Sequence, residues 1–310
     1  MSPAASSAPR PALERQPFDP ADLEVVEAAL DFAAAHPAGG FPRDLQRRFL
    51  TELCTTSTAV IDLRVGEAPV LLAVVIDTCD NAGDAASFEV LGWRAGAPEA
   101  QRALELSLDL AIDFARAGAR ACLEAGAELS AEPSGARLER RGFRPAYHTY
   151  GMIRGAGPWP SPGPLPEGLR FGPLAEAEIP AYRALVVAAF AGLPGAHVPP
   201  EEAFGASLRR APIPPDVLRD REGRLHAFVA VQRHGEVGDL ASLGRDPSAR
   251  GRGLGPHLVD RGLGRLVRAG ARRFTLDVAA DNPTALDLYR RFGFEVATEC
   301  AMYRLDLRGS

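Results

Sequence analysis

The segment ARGRGLGPHLVD, residues 249–260, combines glycine and arginine at the start of an apolar periodic stretch. Three glycines and two arginines fall within positions 250–255. Glycine lets a ligand approach the main chain closely, and a helix N-terminus offers unpaired N–H groups and a positive partial charge. The segment therefore predicts a phosphate-binding loop that opens a helix. A plain solvated loop is the alternative interpretation.

The lack of lysine and of several known motifs excludes some kinds of phosphate-binding and catalytic site. All 35 basic residues are arginine, so a GxxxxGK[ST] loop, a Schiff-base lysine and pyridoxal chemistry are excluded. A dinucleotide GxGxxG pattern that starts at Gly251 would place its last glycine at Pro256. The sequence also has no GxSxG nucleophile elbow and no HExxH zinc motif.

Composition limits the class of protein. A chain of 310 residues with 46% apolar residues is long enough for about two globular domains. The net charge of −5 argues against a nucleic-acid partner. The longest apolar runs, VLLAVVI and ALVVAAFAGL, are too short to span a membrane. The cysteines show no CxxC spacing and predict core thiols rather than disulfides or a metal site; they are Cys54, Cys79, Cys122 and Cys300.

The chain repeats itself on the two sides of a Pro/Gly-rich stretch. Identical RAGAR segments begin at residues 116 and 268, an offset of 268 − 116 = 152. The glycines of RRGF and RRFGF, Gly142 and Gly293, differ by 293 − 142 = 151. This spacing indicates an internal duplication. We predict a disordered tail at 1–17, then a first domain at 18–154, a linker at 155–168 and a second domain at 169–310. The tail has no central apolar stretch and so argues against a secretory signal, and we expect a cytoplasmic protein.

Hydrophobic periodicity predicts the elements of both halves. In the second half we expect one helix after the glycine loop and three others at 177–190, about 200–209 and 282–292. The strands expected there are GLRFGPL, DVLRD, LHAFVAVQR, GDLASLGR, RFTLDVA, FEVATE and MYRLDL. In the first half, strands near AVIDLRV, VLLAVVIDT and SFEVLGW precede a helix at 98–117. This order predicts an α/β or α+β fold of two tandem domains, each a mixed, mostly antiparallel sheet flanked by helices.

The loop and the segment NPTALDLYRRFGF at 282–294 together resemble the GNAT superfamily of acyl-CoA-dependent N-acyltransferases. The family's loop pattern, [Q/R]-x-x-G-x-[G/A], is matched by Arg250, Gly253 and Gly255. Its following pattern is matched by Asn282, Ala285, Leu288, Tyr289, Gly293 and Phe294. The resemblance implies two GNAT-like domains, acetyl-CoA as co-substrate and no metal. The tandem layout, with the intact half last, is similar to the mycothiol synthase type, whose substrate is not carried over.

The same resemblance implies where acetyl-CoA would lie. The strand before the loop would pair with the pantetheine arm and polarise the thioester, and the loop amides would bind the pyrophosphate. The predicted cofactor-binding residues are Leu243, Gly244, Arg245, Arg250, Gly251, Arg252, Gly253, Leu254, Gly255 and Asn282. Arg245-Asp246-Pro247 departs from the family's Val-x-Pro step. Arg245 could recognise an acidic substrate or a phosphate, or lie on the surface at a sheet edge.

Aminolysis of a thioester needs a neutral amine, and an alkylammonium of pKa about 10.4 must first lose its proton. Asp239, six residues before Arg245, stands where histone-modifying members of the superfamily place a carboxylate. It is the predicted base, directly or through water. A turn-capping role is the alternative for Asp239, and Glu236 is a neighbouring rival.

By the same resemblance, Tyr289 is the predicted general acid for the leaving thiolate. The alternative is an aromatic core residue on a helix. His257 could touch a phosphate, although a solvated helix position is the simpler interpretation.

The first half lacks these features. At the offset of 152, Arg250–Gly255 align with PEAQRA at 98–103, so the glycines are absent and Glu99 places a negative charge where the pyrophosphate would bind. At the offset of 151, Tyr289 aligns with Leu138. We therefore predict that the first half is a degenerate, non-catalytic domain that packs on the second and helps to shape its acceptor cleft.

The sequence thus predicts an acetyl-CoA-dependent N-acetyltransferase that acts on a primary amine of a small molecule or peptide. A monomer or homodimer without nucleic-acid or membrane partners is expected. A non-catalytic CoA-binding sensor or scaffold is the alternative. Acceptor-binding loops are expected near GLPGAHVPPEEAFG in the second half.

Overall fold

The computed structural model describes residues 12–38, 46, 50, 58–80, 83–128, 133–195, 198–199 and 201–308. The chain forms two compact units, each made of several segments. The first comprises Met1–Asp77, Ser87–Ala119 and Ala131–Pro133, and the second comprises Thr78–Ala86, Arg120–Ser130 and Ser134–Ser310. Among the described residues, no helix is both long and apolar enough to cross a membrane.

The first unit is a sheet with helices packed on it. Its elements are β1 (Leu13–Gln16), α1 (Leu23–Ala35), β2 (Thr58–Val65), most of β3 (Ala68–Asp80) and of β4 (Gly83–Trp93), and α2 (Ala100–Ala117). The strands lie in the order β1-β2-β3-β4. Asp22 caps α1, because its side chain accepts hydrogen bonds from the amides of Glu24 and Val25. Leu30 of α1 packs with Leu72 and Leu91 of the sheet in the core of this unit.

The tail predicted for residues 1–17 is wrong over its last residues. Leu13–Gln16 forms β1 and pairs antiparallel with β2, Leu13 opposite Val65 and Gln16 opposite Asp62. This edge strand is held by main-chain pairing and buries little, so a composition of LERQ gives no apolar signal for it. Residues 1–11 lie outside the described residues.

The second unit holds the remaining elements. These are β5 (Cys122–Glu128), α3 (Gly135–Arg140), β6 (Arg144–Gly155), β7 (Arg170–Pro173), α4 (Ile179–Phe190), α5 (Glu201–Arg210), β8 (Asp216–Arg219), β9 (Leu225–His234), β10 (Val237–Arg245), α6 (Leu254–Arg268), β11 (Arg273–Ala279), α7 (Pro283–Arg291) and β12 (Glu295–Asp306). The strands lie in the order β5-β12-β6-β11-β10-β9-β8-β7. The described strand pairs of this unit are antiparallel except β10 and β11, which run parallel.

Helices cover both faces of this sheet. The apolar side of α6, with Leu258 and Leu266, packs on Val229 and Leu240 in a large core. On the other face, Tyr182 and Val186 of α4 pack with Phe228 of β9 in a second core. The mixed, mostly antiparallel sheet flanked by helices confirms the predicted fold class.

The internal duplication is visible in strand boundaries. β6 and β12 differ by 151 residues at both ends (295 − 144 and 306 − 155), and β5 and β11 differ by 151 at both ends (273 − 122 and 279 − 128). The final strand of each half pairs with the other half: β6 pairs with β11, and β12 pairs with β5. The two final strands also pair with each other.

This exchange explains why the compact units do not coincide with the predicted domains 18–154 and 169–310. β6 ends the first predicted domain, but both of its neighbouring strands, β11 and β12, come from the second. The predicted pair of closing strands is also wrong. Glu295–Asp306 is one strand with register shifts at Val296/Thr298 and Met302/Tyr303, and these irregularities interrupt its alternating pattern.

The Pro/Gly-rich stretch after β6 is held against the second unit. Arg154 donates from Nη1 to the carbonyl of Phe292 at 2.6 Å and from Nη2 to the carbonyl of Gly157 at 3.0 Å. Trp159 donates from Nε1 to Asp260 of α6 at 2.8 Å. The start of the Pro/Gly-rich stretch is therefore fixed by side-chain hydrogen bonds as well as by the stiffness of its prolines.

Candidate active site

β10 and β11 pair at one end and separate at the other. They pair in parallel over residues 237–239 of β10, although β10 continues to Arg245 and β11 to Ala279. A register shift interrupts the pairing of β10 with β9 between Asp239 and Ser242. Such an irregularity bends a strand. Within the described residues, Ser242–Arg245 pair with β9 alone, so the other edge of this segment is open.

The three predicted cofactor residues of β10 lie along this open segment. Leu243, Gly244 and Arg245 stand opposite Val229, Phe228 and Ala227 of β9. Gly244 has a packing reason as well, because a Cβ there would lie 2.7 Å from the Phe228 ring and 2.9 Å from Ala189 of α4. The glycine therefore allows α4 to approach β10 closely.

The loop after β10 has the backbone that its glycines predict. Gly251 and Gly253 have φ values of +77° and +69°, in the left-handed region that favours glycine. Gly253 is the N-cap of α6. A Cβ built at Gly251 or Gly253 would meet no atom of the described residues within 4 Å, whereas one at Gly255 would lie 3.0 Å from Leu288 of α7. The first two glycines therefore leave space in front of the loop, and the third lets α7 approach α6.

The amides of this loop are available to a ligand. Across residues 251–255, no amide donates a hydrogen bond to any part of the protein that the structure describes. Arg250, Gly251, Arg252 and Gly253 are exposed, while the side chain of Leu254 is buried in the core below. Five consecutive free amides at a helix N-terminus, with Arg250 just before them and Arg252 among them, form an arrangement suited to a phosphate group.

Asn282 caps the next helix, α7. Its side-chain oxygen accepts a hydrogen bond from the amide of Ala285 at 3.1 Å, and Pro283 follows as the first helical residue. Both features are typical of a helix start. The predicted capping role of Asn282 is thus confirmed, and its contact with a cofactor stays a prediction.

Tyr289 is buried on α7, with 7% of its surface exposed. Its ring packs against Phe294 in an edge-to-face arrangement with centroids 6.1 Å apart. Burial raises the pKa of Tyr289 to about 12. The phenol therefore keeps its proton throughout the neutral pH range, as a hydrogen-bond or proton donor requires. The ring also has the core position that the sequence left open as the alternative.

Asp239 lies at the last paired position of β10, opposite Thr275 of β11. The hydroxyl of Thr275 donates to Oδ1 of Asp239 at 2.9 Å. Burial raises the pKa of Asp239 to about 6, the Thr275 hydrogen bond lowers it, and the nearby Asp277 carboxylate raises it further. A carboxylate with this pKa is ionised at neutral pH and is a stronger base than an exposed aspartate.

The two predicted catalytic side chains lie on opposite faces of the sheet. Gly238 faces α6, since a Cβ there would lie 2.9 Å from Leu266. Successive strand residues alternate in direction, so Asp239 points to the face opposite α6. Tyr289 belongs to the core on the α6 side. A substrate that meets both side chains would have to lie between β10 and β11, where their pairing has ended.

The rival residues have other surroundings. Glu236 is exposed in the turn before β10, where its carbonyl accepts from the amides of Arg272 and Arg273. His257 has only 8% of its surface exposed, so the predicted solvated position is wrong. It lies on the buried side of the first turn of α6. Cys300 is partly buried on β12, with Sγ 3.9 Å from Met302 Sδ.

Sequence reasoning missed Thr275 and Asp277. Their two-residue spacing in RFTLDVA places both on the exposed side of β11, away from buried Phe274 and Leu276. The alternation was readable, but their proximity to Asp239 depends on the register of two strands far apart in sequence. Among the described residues, no group of three or more His, Cys, Asp and Glu could hold a metal ion.

Comparison with known proteins identifies the class. Residues 192–294 match the model of the Acetyltransferase (GNAT) family. Across 96% of this chain, the fold is similar to a GCN5-related N-acetyltransferase from Sphaerobacter thermophilus, with a TM-score of 0.70, 19% identity and 96% of that chain covered. The fold is equally similar to that of a tandem GNAT protein from the clavulanic acid biosynthesis pathway. That comparison has a TM-score of 0.70 and 16% identity, and it covers 96% of this chain and all of the other.

A closer relationship in sequence covers less of the molecule. Over 88 residues, the chain is 40% identical to the mycothiol acetyltransferase of Clavibacter michiganensis subsp. michiganensis. The match spans 28% of this chain and 29% of that relative's length. Residues 192–294 thus match the Acetyltransferase (GNAT) family, and the fold across the chain is similar to that of a tandem GNAT protein. These comparisons bear out the predicted GNAT resemblance and its tandem layout.

Proposed function

We propose that this chain is an acetyl-CoA-dependent N-acetyltransferase whose second half transfers an acetyl group to a primary amine of a small molecule or peptide. One observation carries the proposal. The open edge of β10 at Ser242–Arg245 leads into a loop with free amides at the N-terminus of α6. An extended ligand with a pyrophosphate at the far end matches this arrangement, and acetyl-CoA is such a ligand.

The residues present fit acetyl-CoA in shape and charge. Main-chain groups of Leu243–Arg245 would pair with the pantetheine arm as an additional strand would. The free amides of residues 251–255 would bind the pyrophosphate, with Arg250 and Arg252 adding positive charge. The open space beside Gly251 and Gly253 supports this assignment, because a side chain at either position would project into it.

Acetyl-CoA supplies an activated acyl carbon, so the protein has to manage the proton of the attacking amine. In direct attack the amine nitrogen forms the new C–N bond, the C–S bond breaks, and the nitrogen loses a proton. Asp239 would accept that proton, directly or through a water molecule. Its pKa of about 6 supports this role, because the group is ionised at pH 7 and yet more basic than an exposed aspartate.

The departing sulfur needs a hydrogen-bond donor. Tyr289 would supply it from the α6 side of the gap. Its pKa of about 12 lies well above the value of about 8.5 for a thiol, so full proton transfer would cost about 5 kcal/mol in the protein's unliganded environment. We therefore infer that Tyr289 stabilises the thiolate mainly by a hydrogen bond, with proton transfer late in the step.

The acceptor is assigned only as an amine. The mycothiol acetyltransferases share less than a third of their length with this chain, so their acceptor does not carry over. We propose to screen amino sugars, polyamines, aminoglycosides, amino acids and peptides. The assay is release of the free CoA thiol from acetyl-CoA, with hydrolysis in the absence of amine subtracted.

Tyr289→Phe and Tyr303→Phe form a matched pair for this assay. Both substitutions remove one phenol, but Tyr303 lies on β12 beside Gly135, away from the loop and α7. Amine-dependent release that falls by about 100-fold or more only in Tyr289→Phe would support the proposal. Tight CoA binding without turnover of any amine would favour the sensor or scaffold, and absence of CoA binding would contradict the assigned site.

A further inference from the structure

Thr275 and Asp277 of β11 lie on the same face as Asp239, at the point where β10 and β11 separate. Thr275 is the register partner of Asp239 at the last paired position. Its hydroxyl donates to Asp239 Oδ1 at 2.9 Å. Asp277 is two residues further along the same face of β11, beside the part of the gap where pairing has ended.

Gly151 of β6 leaves room for the Asp277 side chain. Gly151 is the register partner of Asp277. A Cβ at this glycine would meet Thr298 Oγ1 of β12 and lie 3.4 Å from Asp277 Oδ1. Three strands thus leave space above Gly151 for Asp277 and Thr298, on the face that carries Asp239.

We propose that Thr275 is a positioning residue for the Asp239 base, and that Asp277 opposes it by keeping the Asp239 proton bound more tightly. The hydroxyl fixes one carboxylate oxygen of Asp239 and stabilises its charged form, whereas the neighbouring negative charge favours its protonated form. The balance between these two neighbours sets the pH at which the base becomes available. This inference rests on the proposed function, since Asp239 is a base only if the site transfers an acyl group.

Two further titratable side chains share this face by strand alternation, Arg273 of β11 and His234 of β9, both register partners of Val237. On β9 the register partner of Asp239 is the uncharged Gln232. On α4, which packs on the same face, Tyr182 is buried against Phe204 and Phe228, and Arg183 donates to the carbonyl of Pro199. The helix α6 lies on the other face. Asp277 is the charged group that raises the pKa of Asp239, in the same direction as burial.

Substitutions at Thr275 and at Asp277 are expected to shift the midpoint of the pH profile in opposite directions. Thr275→Val keeps the branched shape but removes the donor, so the acid limb of the kcat/KM profile should move up by about one pH unit. Thr275→Ser keeps a hydroxyl and should restore the wild-type midpoint. Asp277→Asn removes the like charge and should move the midpoint down. Thr298→Val is the matched control, because it removes a hydroxyl from the same face without removing the bond to Asp239.

A second readout needs no turnover. Carboxyl ¹³C NMR of the full-length protein, with the Asp239 resonance assigned through Asp239→Asn, follows the same titration directly. Opposite shifts for Thr275→Val and Asp277→Asn, with Thr298→Val unchanged, would support the inference. Equal titration midpoints in all variants would overturn it, even if the protein acetylates amines. NMR shifts of the expected signs without any turnover would instead overturn the assignment of Asp239 as a base, and with it both proposals.

Discussion

The helices α6 and α2 occupy equivalent positions in the two halves but begin in different ways. Gly253, the N-cap of α6, is exposed at a φ of +69° after a loop of free amides. Glu99, the N-cap of α2, is 7% exposed and lies 3.6 Å from Arg102. The C-terminal ends of these helices still correspond. At the offset of 152, the last residue of α6, Arg268, aligns with residue 116, and α2 ends one residue later at Ala117. The duplication therefore kept the helix and changed its first turn.

The final strands show the opposite behaviour, because their boundaries kept the 151-residue offset at both ends. Each of β6 and β12 pairs with the other and with a strand of the opposite half. A strand with neighbours on both edges has its length and register fixed by main-chain hydrogen bonds. A loop that binds a ligand has no such constraint once the ligand is lost. Folding therefore preserved the strands, whereas only function could preserve the glycines.

The largest expected effect concerns this exchange of strands. A fragment of residues 169–310 lacks β6, so β11 and β12 lose their shared neighbour and expose unpaired edges. We expect this fragment to aggregate or remain unfolded, as measured by circular dichroism and size-exclusion chromatography. Co-expression with residues 1–168 should restore a folded complex.

The matched control is the full chain carrying a protease site at Gly163, which is exposed and where a Cβ built on the backbone would meet no described atom within 4 Å. Cleavage there should leave both pieces associated, because β6 stays between its neighbours. Cooperative unfolding and CoA binding by 169–310 alone would show that the second half folds without the exchanged strand.

The next prediction converts the active loop into its first-half counterpart. Gly251 aligns with Glu99 at the offset of 152 (251 − 152 = 99). Gly251→Glu should weaken CoA binding at least about tenfold more than Gly251→Gln, because only the acid opposes the pyrophosphate at the helix N-terminus. Backbone strain at the φ of +77° is common to both variants. Isothermal titration calorimetry measures the difference, and equal affinities would mean that the pyrophosphate lies elsewhere.

Local patterns were sufficient for most elements of the second half. RFTLDVA coincides with β11, and the glycine loop precedes α6 as expected, because alternation and helix-start signals are local. The exchange of β6 and β12 was missed, since the identity of a strand's partner is not contained in the strand's own sequence. The same limit applies to the site. Tyr289 and Asp239 follow from motif position, whereas the contact of Thr275 with Asp239 requires the β10–β11 register.

A smaller effect concerns the stability of the second unit. The pKa of Asp239 is raised from 3.8 to about 6, so the folded state holds this proton more tightly than the unfolded state. The favourable contribution is complete below pH 4 and is lost as the pH rises through 6. Asp239→Asn replaces the carboxyl group with an amide that does not ionise, so the variant does not lose this stability as the pH rises. We expect the variant to be more stable than the wild type by about 1–3 kcal/mol at pH 8 and similar to it at pH 4.

Urea unfolding at the two pH values measures this difference. Thr298→Val again serves as a control for a change on the same face. If Asp239→Asn is instead less stable than the wild type at pH 8, and by more than at pH 4, the Asp239 carboxylate stabilises the fold. In that case a structural role for Asp239, bonded to Thr275 of the neighbouring strand, would gain over the catalytic one.

The smallest expected effect tests whether the first half still holds a hidden site. Glu99→Gln removes the charge that opposes an anion at the start of α2 but restores neither the glycines nor the free amides of the second-half loop. We expect calorimetry to give one CoA per chain in both the wild type and the variant, with turnover unchanged and stability altered by less than about 1 kcal/mol. A second CoA site in Glu99→Gln would mean that one charge alone closed the first half. An unchanged stoichiometry indicates that the whole backbone of the loop was lost with the glycines, so that charge removal cannot recover it.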